Sequence, residues 1–174
     1  LQSTKQLKKA VKSFEHAISA SPNYAEAHNN LGNAFKTLNQ LDQAAACYKK
    51  SITIKPGFAI AHFNLGLIFY LQKDLFNAIK SYEKAIEINP RYFEAHNNLG
   101  ITLQFFGKID LAVQSYKNAI SIKPDFLDAQ INLGVILTEL GKLSEAKSSL
   151  RKALSIDSNS ALAHKSLGNV LKDQ

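Results

Sequence analysis

The apolar positions of this chain follow a helical rhythm that is broken at regular intervals. Ala27, Leu31, Ala34, Phe35 and Leu38 recur every three or four residues, the spacing that lines one face of a helix. After Asn39 the rhythm restarts with Leu41, Ala44, Ala45, Tyr48, Ile52 and Ile54. It stops at Pro56, which lacks an N–H and disfavours helix in the residue before it. The same two-helix pattern then returns. The phrases AHNNLG at Ala27, AHFNLG at Ala61, AHNNLG at Ala95, AQINLG at Ala129 and AHKSLG at Ala163 stand 34 residues apart, an interval that predicts stacked repeats.

The register extends to the punctuation. All four prolines share one column (Pro22, Pro56, Pro90, Pro124), and five of the eight glycines share another (Gly32, Gly66, Gly100, Gly134, Gly168). Alanines fill two more, Ala10, Ala44, Ala78, Ala112 and Ala146, then Ala17, Ala85, Ala119 and Ala153 with Ser51 substituting once. A glycine inside a helix costs roughly 0.5–1 kcal/mol relative to alanine. Five such costs predict that a partner helix approaches too closely for a Cβ. The bulky column Phe14, Tyr48, Tyr82, Tyr116 and Leu150 fills the space beside it. Asn39, Lys73, Gly107 and Gly141 mark the sharp turn between the helices, where positive φ is expected. The aromatics Tyr24, Phe58, Tyr92 and Phe126 precede each first helix, where a hydrophobic staple is expected.

These columns resemble the tetratricopeptide repeat, the 34-residue helix–turn–helix unit marked by L-G, A, F/Y, A and P positions, and the resemblance covers all 174 residues. It implies an all-α, right-handed superhelical solenoid whose first helices line the concave side. One domain over 1–174 is expected. It comprises the second helix of a partial repeat (1–24, helical from about Thr4 to Ala20) and full repeats at 25–58, 59–92, 93–126 and 127–160. The first helix of a partial repeat follows at 161–174. Two departures stand out. His28, His62, His96 and His164, with Gln130, replace the usual Trp or Tyr, and Ser158 replaces the fourth proline, predicting a looser boundary there. In general style the chain is similar to the repeat arm of O-linked N-acetylglucosamine transferase-like proteins, which implies a substrate-recruiting arm for an enzyme encoded elsewhere.

Composition narrows the chemistry. The net charge of +7 comes from 19 Lys and two Arg, Arg91 and Arg151. Lys8, Lys9, Lys12, Lys49, Lys50, Lys80, Lys84, Lys117, Lys147 and Lys152 lie mostly on second helices, the convex back. Neither Arg forks for bases nor aromatics interleaved with cations accompany them, so a solvated face is expected and no nucleic-acid partner. The histidine column is not a metal site. Two ligands of one zinc lie within about 4.2 Å, whereas packed helices are ~8–10 Å apart; a packing role at the hairpin seam is expected. Cys47 has no His and acid arrangement nearby in sequence, and the glycines are too dispersed to cradle phosphate. No catalysis, cofactor or metal is therefore expected. No stretch reaches the roughly 18 apolar residues needed to span a bilayer, so no membrane partner is expected. The single cysteine fits a reducing compartment, so a cytoplasmic setting is expected; the lack of a leader describes the fragment alone. A chain that begins at Leu1 and contains no Met is expected to be an excised domain.

Function is expected on the face of each first helix that the hairpin does not use. Its residues include Asn29, Asn30, Asn33 and Thr37, then Phe63, Asn64, Leu67, Tyr70 and Leu71, then Asn97, Asn98, Ile101, Gln104 and Phe105, and lastly Ile131, Asn132, Val135, Thr138 and Glu139. Asn30, Asn64, Asn98 and Asn132 form a uniform ladder. An amide both donates and accepts, so such a ladder suits the backbone of an extended peptide; the alternative is that it serves helix packing. The predicted groove is Asn30, Asn33, Asn64, Leu67, Tyr70, Asn98, Ile101, Phe105, Asn132 and Val135, with Phe63, Leu67, Leu71, Ile101, Phe105, Ile131 and Val135 as an apolar floor; the alternative for these apolar residues is packing against the adjacent hairpin. Asn29, Phe63 and Asn97 stand where a carboxylate clamp needs Lys or Arg, which excludes that ligand mode. The expectation is a non-catalytic scaffold for protein or peptide segments, the alternative a structural arm without a groove ligand. End-to-end self-association between the Phe14 and Leu171 ends is also expected, because terminal helices expose apolar faces.

Overall fold

The computed structural model describes residues 2–172, with side-chain environments from residue 6 onward; the last two positions of the expected partial repeat lie outside the described residues. Ten helices and no strand are found among the described residues. They are α1 (Gln2–Ala20), α2 (Ala25–Thr37), α3 (Leu41–Ile54), α4 (Ala59–Leu71), α5 (Leu75–Ile88), α6 (Phe93–Phe105), α7 (Ile109–Ile122), α8 (Leu127–Glu139), α9 (Leu143–Ile156) and α10 (Ala161–Lys172). The chain divides into two compact units, Leu1–Pro90 with α1–α5 and Arg91–Gln174 with α6–α10. In the first, α2 pairs with α3 and α4 with α5; in the second, α6 pairs with α7 and α8 with α9.

Each hairpin closes through the same turn. Asn39 N–H donates to Lys36 O at 2.9 Å and Gln40 N–H to Phe35 O at 2.9 Å, the two bonds of a Schellman cap. The residue between must be left-handed: φ is +58° at Asn39, +65° at Lys73, +83° at Gly107 and +70° at Gly141, all four of the positions expected from sequence. The second helices end in extended residues, Lys55, Asn89, Lys123 and Asp157. Asp157 has φ −135°, close to the values at Lys55, Asn89 and Lys123, although serine and not proline follows it. Local bonds replace the proline: Asp157 Oδ1 accepts from Asn159 N–H at 3.0 Å and Ser160 Oγ from Ala163 N–H at 3.3 Å.

The glycine column is where the paired helices touch. A Cβ at Gly32 would lie 2.6 Å from the Tyr48 ring, at Gly66 2.7 Å from Tyr82, at Gly100 2.6 Å from Tyr116 and at Gly134 2.5 Å from Leu150. The four bulky partners are fully buried, and Ala44, Ala78, Ala112 and Ala146 are buried beside them. Ser51 is no weakness in its alanine column, because its hydroxyl donates to Ala25 O at 2.7 Å and ties α3 to the start of α2. The aromatic column differs from the expected staple. Tyr24, Phe58, Tyr92 and Phe126 are themselves the helix caps. Lys55 Nζ sits 4.8 Å from the Phe58 ring centre, and Phe126 meets Phe93 edge-on at 4.9 Å.

Candidate functional site

First helices approach one another within each unit, α2 with α4, α6 with α8 and α8 with α10, whereas neighbouring second helices do not come as close. First helices therefore line the inner side of each unit, and the predicted groove residues belong to them.

In the first unit Asn30 is exposed, Asn33, Leu67 and Tyr70 are half-buried, and Asn64 is buried. Asn33 Oδ1 accepts from the Tyr48 hydroxyl at 2.8 Å, so this amide holds a core ring in place. Asn64 Nδ2 donates to Asn29 Oδ1 at 3.0 Å. In the second unit Asn98, Ile101, Asn132 and Val135 are half-buried and Phe105 is 70% exposed. Asn132 Nδ2 donates to Asn97 Oδ1 at 3.0 Å, repeating the Asn64 bond. Two rungs of the ladder thus join adjacent first helices. Asn29 and Asn97, expected on the open face, are buried acceptors for those bonds. Ile131 is likewise removed from the floor: it is buried in a cluster with Ala153 and Ala163, and Val135 packs at that cluster's edge. Phe63 rests on the Tyr82 ring at 5.8 Å.

In the second unit a cleft of about 280 Å³ stays open between α8 and α10. Val135 and Leu162 provide apolar wall, Thr138, Ser166 and Asn169 hydroxyls and an amide, and Glu139 and Lys165 opposite charges. Gln104 joins the polar edge, accepting from the Tyr116 hydroxyl at 3.1 Å and lying 3.4 Å from Glu139. The sequence places Val135, Thr138 and Glu139 on this face, and the reading did not extend to Leu162, Lys165, Ser166 and Asn169. The signal was available, since Asn169 continues the Asn33–Leu67–Ile101–Val135 column and Ser166 the asparagine ladder.

The histidine column is a set of clasps. His28 Nε2 lies 3.0 Å from Pro22 O, His62 Nε2 2.9 Å from Pro56 O and His164 Nε2 2.9 Å from Ser158 O; Gln130 Nε2 donates to Pro124 O at 3.2 Å. Each side chain ties a first helix to the loop that enters it. A carbonyl only accepts, so the ring nitrogen donates, and it does so in both neutral and charged imidazole. Gln130 shows that any donor of this reach suffices. His28→Gln is therefore expected to leave thermal stability within about 0.5 kcal/mol of wild type, and His28→Ala to cost about 1 kcal/mol. Equal losses for both in a thermal melt would show that the ring, not the bond, matters.

Among the described residues no cluster of His, Cys, Asp and Glu is arranged to hold a metal. Burial, helped by the Glu15 carboxylate, pushes the Cys47 thiol up to about 11. Such a thiol is a poor nucleophile. Alkylation by iodoacetamide at pH 8 is expected to be on the order of 10²-fold slower than for free cysteine; a rate within tenfold of free cysteine would contradict this.

Four helical hairpins, each seamed by a glycine against a buried Tyr or Leu and closed by one recurring turn, define a helical-hairpin repeat protein. The chain belongs to the tetratricopeptide repeat family: a TPR repeat model matches residues 3–39, 32–73 and 67–104, and a second tetratricopeptide repeat model matches residues 106–170. The fold is the all-α solenoid of that family. It is similar to the crystal structure of MamA, with a TM-score of 0.82 and 26% identity over 92% of this chain and 94% of that one. It is also similar to YrrB, described as a TPR protein with an unusual peptide-binding site, with a TM-score of 0.77 and 21% identity over 94% and 93%. No curated protein sequence is significantly similar to it. No helix among the described residues is long and apolar enough to cross a membrane.

Proposed function

We propose that the chain is a non-catalytic scaffold that holds protein or extended peptide segments against the inner faces of its first helices. The observation that carries this is the open cleft between α8 and α10, where exposed apolar wall adjoins unlike charges and amide groups. Such a mixture accepts a side chain and orients the backbone beside it. Within the second unit Asn98 and Asn169 extend the amide surface, whereas Asn132, like Asn64 in the first unit, spends an N–H on the neighbouring repeat. The description of YrrB as peptide-binding supports the same reading.

The test separates binding from stability. Leu162 is exposed, so Leu162→Glu is expected to leave the melting temperature unchanged. It should lower affinity about tenfold for whichever unstructured peptides in a fluorescently labelled library bind wild type. Asn64→Ala is expected to cost about 1–3 kcal/mol, since it leaves Asn29 Oδ1 buried without its partner. If no peptide binds, or if Leu162→Glu binds as wild type does, this cleft is not the site.

A further inference from the structure

In the first unit an apolar groove runs along α1 and α2 on the side away from the inner face. Its two stretches, of about 480 and 410 Å³, meet at Glu15. The floor is α2, which presents Leu31, Phe35 and Leu38 here, opposite the helix face that carries Asn30, Asn33 and Thr37. Val11 and Ile18 of α1 form one wall, and Ala46 and Cys47 of α3 close the second stretch. Lys8, Lys12 and Lys50 stand exposed on the rim against one acid, Glu15.

The same columns are bridged one repeat later. There Lys49 Nζ lies 5.6 Å from the Phe69 ring centre, and Gln72 Nε2 donates to Asp42 Oδ1 at 2.8 Å. Between α1 and α2 those columns hold Glu15 with Phe35 and Lys8 with Leu38. A carboxylate is not drawn to a ring face, and leucine has no polar atom to bond. The opening therefore comes from residue types, not from the place of α1 in the chain. A first helix preceding α1 in this register would take the Phe14–Ala17 face, as α2 takes Tyr48 and Ser51 of α3, and would leave the groove clear.

We infer that this groove docks an acidic amphipathic helix of a partner protein. The wall from Lys8 to Ser19 is about 17 Å long at ~1.5 Å per residue, the length of about three helical turns. A helix of that length lays one apolar row, spaced at three and four residues, along Phe35, Leu31 and the α1 wall. Carboxylates flanking that row then meet Lys8, Lys12 and Lys50, which sets the sign of the partner. The groove belongs to the first unit and the α8–α10 cleft to the second, so either site can fail without the other.

The test is fluorescence anisotropy with a synthetic helical peptide carrying leucine at every third or fourth position and glutamate between. It is expected to bind with a Kd below about 100 μM, and a scrambled peptide of the same composition at least tenfold more weakly. Cys47, the single cysteine, lies in the wall, so saturating peptide should slow its reaction with N-ethylmaleimide at least tenfold. Lys12→Glu combined with Lys50→Glu should weaken binding at least tenfold while the melting temperature holds, because both side chains are exposed. Lys142→Glu with Lys152→Glu, the same change of charge in the second unit, should leave the affinity within twofold of wild type, as should Leu162→Glu. Failure of the ordered peptide to bind, equal binding of the scrambled peptide or of an oligothymidylate, or an unprotected Cys47 would each overturn the proposal.

Discussion

Gly100→Leu is expected to lower stability by about 3 kcal/mol or more, at the upper end of what overpacking costs. Even the first atom of the new side chain would stand 2.6 Å from the Tyr116 ring. That ring is 1% exposed and has no solvent side to swing towards. Either α6 and α7 separate or Tyr116 leaves its place, and both uncover the alanines Ala112 and Ala119 packed in the same hairpin. Because repeat units contact chiefly their neighbours, the damage should remain local. Native-state hydrogen exchange should accelerate in α6 and α7 first and leave α2 and α3 close to wild type. Uniform acceleration along the chain would show that it unfolds as one cooperative block. Gly168→Leu is the built-in control, carrying the same side chain in the same column without the same neighbour.

The glycine positions were legible because each breaks a helical preference at a fixed interval, and close approach is the economical reason for a repeated exception. The turn column was legible for the same kind of reason, even at Lys73, where the residue type argues against φ of +65° and only the register argues for it. The asparagine ladder was harder. A polar column at helical spacing looks the same whether its amides face a ligand or the next repeat. The deciding feature is an offset of 35 residues, one more than the period, which joins Asn64 to Asn29 and Asn132 to Asn97. Asn29 and Asn97 open the two Asn-Asn doublets, the one trace in the sequence of a buried acceptor beside a ladder position. Ile131 was misplaced because that same column holds Asn29, Phe63 and Asn97, and helical phase alone cannot say which face an adjacent repeat covers. The cleft at α10 was missed because the two open-face columns were not extended to Ser166 and Asn169, although the register itself reaches Ala163 and Gly168.

Tyr82→Ala is expected to be more damaging than any surface change, costing about 3–5 kcal/mol, the range found when a large buried aromatic is truncated. The ring fills the gap left by Gly66 and carries Phe63 against its other side. Its loss therefore leaves a void bounded by a glycine that has no side chain to collapse into it. Two further variants separate shape from aromaticity. Leu150 occupies the same column opposite Gly134 and is fully buried, so Tyr82→Leu is expected to recover at least half of the loss. Adding Gly66→Leu to Tyr82→Ala moves the bulk to the other helix. The double variant is then expected to be more stable than the two single effects summed, a coupling that contacting residues show and distant ones do not. Chemical denaturation of the four proteins measures that coupling directly. Additive losses would mean that Gly66 and Tyr82 do not share one space, contrary to the 2.7 Å approach between them.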